Sequence, residues 1–242
     1  MSKPIYLDNQ ATTPLDPVVL EFMLPYFNDK FGNAASIHHS FGHEAKDIVE
    51  KSRKIIAKEL NASAREIVFT SGATESINLA IKGVCEKNKN KGRHIITQVT
   101  EHNAVLDTCS ALENRGWEIS KFPVQQDGLL DPKLIKKEIR KDTVLVTIMH
   151  ANNEIGVIQP IQEIGDICLQ HGVYFMVDAS QSFAKLSIDV YKLNIDLLAF
   201  TAHKIYGPKG IGALFIKKKN PPVELELQMD GGGHERGYRS GT

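Results

Sequence analysis

The chain has 242 residues, of which 42% are hydrophobic and 24% are charged, and its 29 basic residues balance its 29 acidic residues. This composition is typical of a globular domain with a large packed core, and the balanced charge gives no reason to expect a nucleic acid or an anionic membrane as a partner. No apolar run approaches the roughly 18 residues of a membrane-spanning helix, and residues 1–14 lack the hydrophobic stretch of a signal peptide, so we expect a cytoplasmic protein that binds a small ligand.

Segments with the pattern of β-strands alternate with amphipathic helical segments along the chain. Helices are predicted over residues 42–60, 75–85, 104–114, 132–140 and 161–170, and strands over residues 66–70, 94–98, 143–149, 173–178, 196–200 and 211–216. This alternation predicts an α/β fold with a mainly parallel sheet and helices on both faces. Ligands of such sheets bind beyond the carboxyl ends of the strands, so the residues that follow each strand are the candidates for chemistry.

The segment TSGATE at residues 70–75 follows the first predicted strand and opens a helix. Gly72 permits a tight turn, after which the backbone N–H groups of Ala73 and Thr74 can point at an anion such as a phosphate. The same residues are also typical of a plain helix cap. The segment alone does not decide between these two interpretations.

Two charged residues, Asp178 and Lys204, follow later strands. A carboxylate at the first position caps the next turn or binds a cation such as a pyridinium nitrogen. A partly desolvated lysine at the second position can form an imine with an aldehyde, although most lysines are simply solvated. A phosphate cradle, a ring-nitrogen carboxylate and an imine-forming lysine at successive strand ends together predict pyridoxal 5'-phosphate (PLP) rather than a nucleotide.

Two further polar residues also follow predicted strands. An imidazole at His102 can stack on the cofactor ring and exchange protons, or it can simply begin a helix. The amide of Asn153 can bind the ring hydroxyl or the substrate, or it can belong to a turn.

The remaining metal-binding residue types form no convincing site. His38, His39 and His43 lack an acidic or cysteine partner at a suitable spacing, so they indicate a loop that enters a helix and no metal site. The three cysteines, Cys85, Cys109 and Cys168, are far apart and form no C-x-x-C pair. We therefore expect reduced and mostly buried thiols rather than disulfides or a zinc site.

These residues stand in longer motifs, namely YLDNQATTP, FTSGATESINLAIKG, TEHNAVLDTC, HANNEIGVIQP, VDASQS, TAHKIYGPKGIGAL and GGGHERGYRSGT. In combination the motifs resemble those of the cysteine desulfurases, a group within the class V aminotransferase family, and most closely the iron–sulfur-assembly type. The resemblance implies the type I PLP-dependent transferase fold, which is aspartate aminotransferase-like and has a mainly parallel seven-stranded sheet. It also implies an N-terminal arm over residues 1–15, which belongs to the small domain in the family, and a PLP-binding large domain over residues 16–242. The C-terminal small domain is expected to lie beyond the end of this sequence.

The resemblance also implies roles for individual residues. Lys204 matches the lysine that binds PLP covalently, His102 the ring-stacking acid and base, and Asp178 the partner of the pyridinium nitrogen. The other implied cofactor-binding residues are Ala73, Thr74, Asn153, Gln181, Thr201, Ala202, His203 and Thr242. In the family the threonine at the last position reaches the phosphate bound in the neighbouring subunit, which implies a homodimer.

The implied reaction converts L-cysteine to L-alanine and a protein persulfide, whose sulfur passes to iron–sulfur scaffolds and to sulfur carriers for tRNA thiolation. The family's attacking cysteine and its substrate-binding arginine lie beyond the end of this chain, so we expect the chain alone to bind PLP but to turn over little substrate. Two alternatives remain open at this point. They are an aminotransferase or β-lyase of the same fold, which needs no protein thiolate, and a PLP-domain fragment without catalytic activity.

Overall fold

A computed structural model of the chain describes residues 4–219 and 221–241. The helices are α1 (Pro17–Met23), α2 (Pro25–Asn28), α3 (Ser40–Glu59), α4 (Ala73–Asn88), α5 (Asn103–Glu113), α6 (Pro132–Glu138) and α7 (Ile161–His171). The strands are β1 (Ile67–Thr70), β2 (His94–Gln98), β3 (Glu118–Phe122), β4 (Thr143–Met149), β5 (Tyr174–Asp178), β6 (Leu197–Thr201) and β7 (Gly212–Ile216). Short 3-10 turns lie at Ala64–Glu66, Ala202–Lys204 and Glu235–Gly237.

The described strands form one seven-stranded sheet in the order β1-β7-β6-β5-β4-β2-β3. The pairs from β6 through β3 are parallel, whereas β7 is antiparallel to both of its neighbours. Because β7 is reversed, β1 runs parallel to β6, and the carboxyl ends of β1, β2, β4, β5 and β6 meet at one edge. The predicted fold class, a mainly parallel seven-stranded sheet flanked by helices, is confirmed.

The hydrophobic core lies in two layers, one on each face of the sheet, because successive residues of a strand point to opposite faces. Leu198 and Phe200 of β6 belong to the layer that also contains Ile164 of α7. Leu197 of β6 belongs to the other layer, with Ile77 of α4. The burial of both faces explains why the central strands are continuous apolar runs.

Several helix ends follow the local signals in the sequence. Asp16 and Asp131 accept backbone hydrogen bonds at the starts of α1 and α6, and each of these helices begins with proline. Gly172 ends α7 in the left-handed conformation, with φ 64°. These caps fix where the connecting loops leave the helices.

The N-terminal segment packs against the turn that follows β6. Thr13 N donates to His203 O at 2.9 Å, and Tyr206 N donates to Thr13 Oγ1 at 2.8 Å. Asp16 N also donates to Tyr206 O, at 3.0 Å. The start of the described chain is therefore held at the sheet edge where the carboxyl ends of the strands meet.

Within residues 4–219 and 221–241, no helix combines the length and the apolar composition needed to cross a lipid bilayer. The same residues contain no group of three or more His, Cys, Asp or Glu side chains arranged to hold a metal ion. His39 instead caps α3, where its Nδ1 atom accepts from Gly42 N at 3.2 Å.

Candidate cofactor-binding site

The carboxyl ends of the parallel strands surround a cavity of about 850 Å³. Its wall brings together most of the residues expected to bind a cofactor, namely Ala73, Thr74, His102, Asn153, Asp178, Gln181, Thr201, His203 and Lys204. Ala202 is not among the lining residues, and Thr242 lies outside the described part of the chain.

The N-terminus of α4 forms one wall of this cavity. Gly72 precedes the helix with φ 155°, and no side chain caps the helix end. The N–H groups of Ala73 and Thr74 therefore have no hydrogen-bond acceptor within the described chain. Gly212 packs so closely on this turn that a Cβ atom at Gly212 would lie 2.7 Å from Gly72 Cα. The geometry suits an anion, which gains both the free N–H groups and the helix dipole.

The negative charge of an acidic side chain in the first turn of α4 is balanced by hydrogen-bond donors from its neighbours. Glu75 accepts hydrogen bonds from Ser71 N at 2.7 Å and from Arg239 Nε at 2.9 Å. Burial opposes ionisation of Glu75, but these hydrogen bonds outweigh burial and hold its pKa below the ordinary value. The carboxylate is thus compensated within the protein and repels a bound anion less.

Asp178 ends β5 at the floor of the cavity, where it is 4% exposed. Its Oδ1 atom accepts from Ser180 N at 2.9 Å and from Ser180 Oγ at 2.6 Å. No donor from the described residues bonds to Oδ2. Burial raises the pKa of Asp178, and the hydrogen bonds from Ser180 and the charge of Lys204 offset only part of this effect. A cationic N–H donor from a ligand would supply the missing partner.

Lys204 lies in the 3-10 turn after β6, and its side chain reaches the N-terminal segment. Its Nζ atom donates to the carbonyl oxygen of Gln10 and, at 2.9 Å, to that of Ala11. Burial and the nearby Lys185 lower the pKa of Lys204, whereas Asp178 acts in the opposite direction. A lowered pKa increases the fraction of neutral amine, which is the nucleophilic form.

His102 is the N-cap of α5 and also lines the cavity. Its Nδ1 atom accepts from Ala104 N at 3.0 Å. Because this lone pair is engaged, Nε2 is the nitrogen that can exchange a proton with a ligand. His102 therefore lies immediately before the first residue of α5 and beside the cavity, and its role in ring stacking and proton exchange stays a prediction.

Two amide side chains on the wall already have partners. Asn153 Nδ2 donates to Glu154 Oε1 at 2.6 Å, and Gln181 Nε2 donates to Gln10 O at 2.8 Å. Lys185 Nζ donates to Gln181 Oε1 at 3.3 Å. Each amide keeps hydrogen-bonding capacity beyond these contacts, because an amide nitrogen carries two hydrogens and an amide oxygen accepts two hydrogen bonds.

Thr201 is the last residue of β6 and Ala202 the first residue after it, and the two face different surroundings. Thr201 Oγ1 would lie 3.8 Å from a Cβ atom at Gly72, so this hydroxyl is close to the helix end. The N–H group of Ala202 donates to Ile211 O at 3.1 Å. That N–H group is already bonded and is not available to a phosphate.

Residues 8–12 also contribute to the cavity wall, which their sequence did not predict, and the lining residues among them are Asp8, Gln10, Ala11 and Thr12. Thr12 Oγ1 lies 3.1 Å from His203 Nδ1. Burial and the charges of Lys204 and Lys209 lower the pKa of His203, which favours the neutral imidazole. The YLDNQATTP motif contains these residues, but it indicates only the family resemblance and not their position at the cavity.

The three cysteines lie in the core and do not line the cavity. Burial raises the pKa of Cys109 to about 12 and raises the pKa values of Cys85 and Cys168 as well. The observed burial agrees with the expectation of reduced and buried thiols. Thiols in this state form little thiolate near neutral pH.

These features fit PLP. The free helix N-terminus suits its phosphate, the unpaired oxygen of buried Asp178 suits its protonated ring nitrogen, and the amine of Lys204 suits its aldehyde. The cavity volume of about 850 Å³ lies within the usual range for small-molecule sites.

Comparisons with known proteins agree with this chemistry. Residues 5–236 match the model of the family Aminotransferase class-V. The chain is 55% identical over 242 residues to Cysteine desulfurase IscS of Anaeromyxobacter dehalogenans, and 56% identical over 239 residues to that of Neisseria meningitidis serogroup C / serotype 2a. These alignments cover 100% and 99% of this chain but only 60% and 59% of the two relatives. The chain therefore spans less than two thirds of the length of these relatives.

Solved structures give the same result. A protein described as SspA in complex with cysteine superimposes with a TM-score of 0.94 and 44% identity, over 98% of this chain and 68% of that one. A NifS-like protein also has a TM-score of 0.94, with 42% identity over 98% of this chain and 65% of that one. The chain belongs to the class V aminotransferase family, whose members depend on PLP, and its relatives there are cysteine desulfurases.

Proposed function

We propose that this chain is the PLP-binding part of a cysteine desulfurase, which converts L-cysteine to L-alanine and transfers the sulfur to a thiol as a persulfide. The observation that carries the proposal is that Lys204, Asp178 and the free end of α4 surround one cavity. The relatives named Cysteine desulfurase IscS, and the similar structure described as a complex with cysteine, support the choice of substrate.

Four groups are proposed to hold the cofactor. Bound PLP supplies an electrophilic carbon and a ring that withdraws electrons from the substrate's α-carbon. Asp178 would accept a hydrogen bond from the protonated ring nitrogen. The N–H groups of Ala73 and Thr74 would bind the phosphate together with the Thr201 hydroxyl. The amine of Lys204 would hold the cofactor covalently through its aldehyde carbon.

The other expected residues complete the site in this proposal. His102 and Lys204 would move protons to and from the substrate, because both residues line the cavity. Asn153 and Gln181 bind the ring hydroxyl or the substrate. The further phosphate-side residues in the proposal are His203 and Thr242, the last in the partner subunit's site. Ala202 was expected to belong to this group, but its N–H group is bonded to Ile211 O, so we propose no direct contact with the phosphate for it.

We propose that none of Cys85, Cys109 and Cys168 receives the sulfur. All three are buried, their pKa values are raised, and none lines the cavity. Attack on a substrate sulfur requires an accessible thiolate. The acceptor in this proposal is therefore a thiol that is not among the 242 residues of this sequence.

The assembly and setting of the protein belong to the same proposal. The proposed organisation is an arm over residues 1–15 and a large domain over residues 16–242, in a cytoplasmic homodimer that supplies sulfur to iron–sulfur scaffolds and to carriers for tRNA thiolation. Exposed apolar side chains on the arm and on α1 and α2, among them Leu7, Phe22 and Phe27, support a covered interface. Light scattering that gives the mass of a monomer would contradict the homodimer.

The cofactor assignment is tested by mixing the chain with PLP and recording the visible absorbance of the bound cofactor. We expect a band that shifts on addition of L-cysteine and that is lost in Lys204→Ala, because this variant has no amine for the covalent link. Lys51→Ala is the matched control, since Lys51 is exposed on α3 and does not line the cavity.

Product analysis separates the remaining alternatives. We expect little sulfide from L-cysteine and a reductant, because the three thiols are buried. Rapid sulfide release would contradict the proposed acceptor. Alanine formed from pyruvate and an amino donor, but not from cysteine, would favour an aminotransferase, and the absence of any cofactor band would leave a role without catalysis.

A further inference from the structure

A cluster of unpaired buried polar atoms lies directly beneath the turn that carries His102. Gln98 Oε1, Gln98 Nε2, Thr100 Oγ1 and Glu101 Oε2 are the buried side-chain atoms that lack a hydrogen-bond partner within residues 4–219 and 221–241. All of them come from a four-residue stretch at the end of β2. Unpaired buried polar atoms are rare in native proteins, so a concentration of them at one place requires an explanation.

Glu101 connects this stretch to the floor of the cavity. Its Oε1 atom accepts from Met149 N at 2.6 Å, and Met149 is paired in the sheet with Asp178. The next residue, His150, donates its N–H group to Asp178 O at 2.9 Å. Asn152 Nδ2 donates to Thr100 O at 2.9 Å and ties the same two loops together. Glu101 therefore fixes the His102 turn to the end of β4, one strand away from Asp178.

Two buried carboxyl groups, Glu101 and Asp178, thus lie near each other, and they do not have equal partners. Asp178 receives two hydrogen bonds from Ser180, whereas Glu101 receives one from Met149 N. Two nearby carboxylates in a low-dielectric interior disfavour double ionisation, so one of them keeps a proton. The group with fewer donors keeps it, which is Glu101.

The surroundings of Glu101 contain no compensating cation. The titratable groups that face it are Asp178 from β5 and Cys109 from α5, whereas β4 contributes a backbone N–H group and β2 contributes the Gln98 amide. No lysine or arginine of the described chain forms an ion pair with Glu101. Burial, and to a lesser degree the charge of Asp178, raises the pKa of Glu101 well above its ordinary value.

We propose that Glu101 is a neutral carboxylic acid, hydrogen-bonded to Met149 N and to the neighbouring Gln98 amide, which positions the His102 turn without adding a negative charge beside Asp178. Protonation turns Oε2 from an unpaired acceptor into a donor, and the amide oxygen of the neighbouring Gln98, which also lacks a partner, can accept from it. Asp178 then remains the one carboxylate at the cavity floor that a cationic ring nitrogen can pair with. Glu101 is a positioning residue in this account, and its link to PLP rests on the proposed function.

The test compares Glu101→Gln with the wild type in thermal melts of the cofactor-free chain at several pH values. A proton retained in the folded state makes the folded protein lose stability, relative to the unfolded chain, as pH rises above about 4.3, the usual value for glutamate. Glutamine does not titrate and keeps the oxygen that accepts from Met149 N. The melting temperature of the variant minus that of the wild type is therefore expected to rise with pH, by up to roughly 3–5 °C per pH unit.

The opposite charge state gives the opposite slope. If Glu101 is an anion stabilised by the fold, the same difference falls as pH rises, and a difference that does not change with pH also overturns the proposal. Glu113→Gln is the matched control, because Glu113 is an exposed carboxylate on α5 that pairs with Lys121, and it should show no rising difference. Infrared difference spectra of the wild type against Glu101→Gln should show the carbonyl stretch of a protonated acid.

The positioning role has its own variant. Glu101→Leu removes the acceptor for Met149 N and is expected to lower the melting temperature at every pH by about 2–4 °C or more and to weaken PLP binding, whereas Glu101→Gln keeps the PLP affinity within about twofold. Equal PLP affinity in both variants would overturn the positioning role. The melts of the cofactor-free chain need neither PLP nor turnover, so failure of this inference is distinguishable from failure of the proposed function.

Discussion

Asp178 is buried at the cavity floor before any ligand contributes to its surroundings, and burial raises its pKa. The folded protein therefore holds the Asp178 proton more tightly than the unfolded chain does. The contribution of this group to stability is complete below the unfolded value of about 3.9, and it is lost as pH rises through the higher folded-state pKa. Above that folded-state pKa an ionised Asp178 destabilises the empty site, and a bound cation offsets that cost.

Asp178→Asn separates these two effects. The amide oxygen can still accept from Ser180, but the negative charge is absent, so we expect PLP affinity to fall by about 10- to 100-fold. In the absence of PLP, the melting temperature should equal or exceed that of the wild type near pH 7. Absorbance titration with PLP and thermal melts measure the two quantities. The control is Asp107→Asn, at an exposed position on α5, and unchanged PLP affinity in Asp178→Asn would contradict the proposed pairing.

Individual site residues differed in how far the sequence could predict their positions. Asp178 and Lys204 were predictable as cavity neighbours because Asp178 ends one apolar strand and Lys204 lies in the turn after another, which is a local signal. The carbonyl groups of Gln10 and Ala11, which accept from Lys204, were not predictable. Every residue has a carbonyl group, and only the fold determines where that group lies. The roles of the site residues in cofactor binding stay predictions.

At the scale of secondary-structure elements, a buried ion pair joins α3, β1 and the turn at Glu235–Gly237. The side chain of Arg53 is 4% exposed and bonds to both carboxylate oxygens of Glu235, at 2.6 and 2.8 Å. Glu235 Oε2 also accepts from Phe69 N of the edge strand, at 2.8 Å. Arg53 has a second acidic partner, Glu50, which is more exposed. The ion pair thus anchors the C-terminal segment to the edge of the sheet.

Glu235→Ala is expected to lower the free energy of unfolding by about 3–5 kcal/mol, because it leaves a buried guanidinium and a strand N–H group without their partner. Glu50→Ala removes the more exposed partner of the same arginine and should cost less than about 1 kcal/mol. Urea unfolding measures both values. Equal losses of unfolding free energy in the two variants would show that the buried ion pair stabilises the fold no more than the exposed one does.

The elements that the sequence predicted best are those with one dominant local signal. The predicted bounds 94–98 and 143–149 match β2 and β4, since both strands are buried apolar runs with polar residues around them. The strand β3 at Glu118–Phe122 was missed because it lies at the sheet edge, where its side chains are half-buried or exposed. The short helices α1 and α2 were also missed, and neither has a buried residue that would create a periodic pattern.

At the scale of the whole molecule, the patterns predicted six strands and the parallel α/β class, and the family resemblance supplied the seventh strand. The structure and the comparisons confirm this architecture and the family. The division into residues 1–15 and 16–242 stays a prediction, because it concerns which segments of the chain move as one unit. A sequence pattern describes local burial, and it does not describe which parts move together.

Removal of the cofactor should destabilise the whole chain. If PLP binds only the folded state, a concentration 100 times its dissociation constant stabilises that state by about 2.7 kcal/mol, which corresponds to a melting-temperature rise of roughly 5–10 °C. Differential scanning calorimetry with and without PLP measures the rise. We expect a much smaller rise in Lys204→Ala, and an equal rise there would mean that the covalent link contributes nothing to binding.

The contact between the N-terminal segment and the turn after β6 has a consequence for the order of folding. Thr12 and His203, which meet at the cavity, are 191 positions apart in the chain. Contacts between such distant segments form late, because the intervening chain must first become compact. During synthesis the first wall of the cavity leaves the ribosome long before the last. Binding of the cofactor would therefore occur only after nearly all of the sheet has assembled.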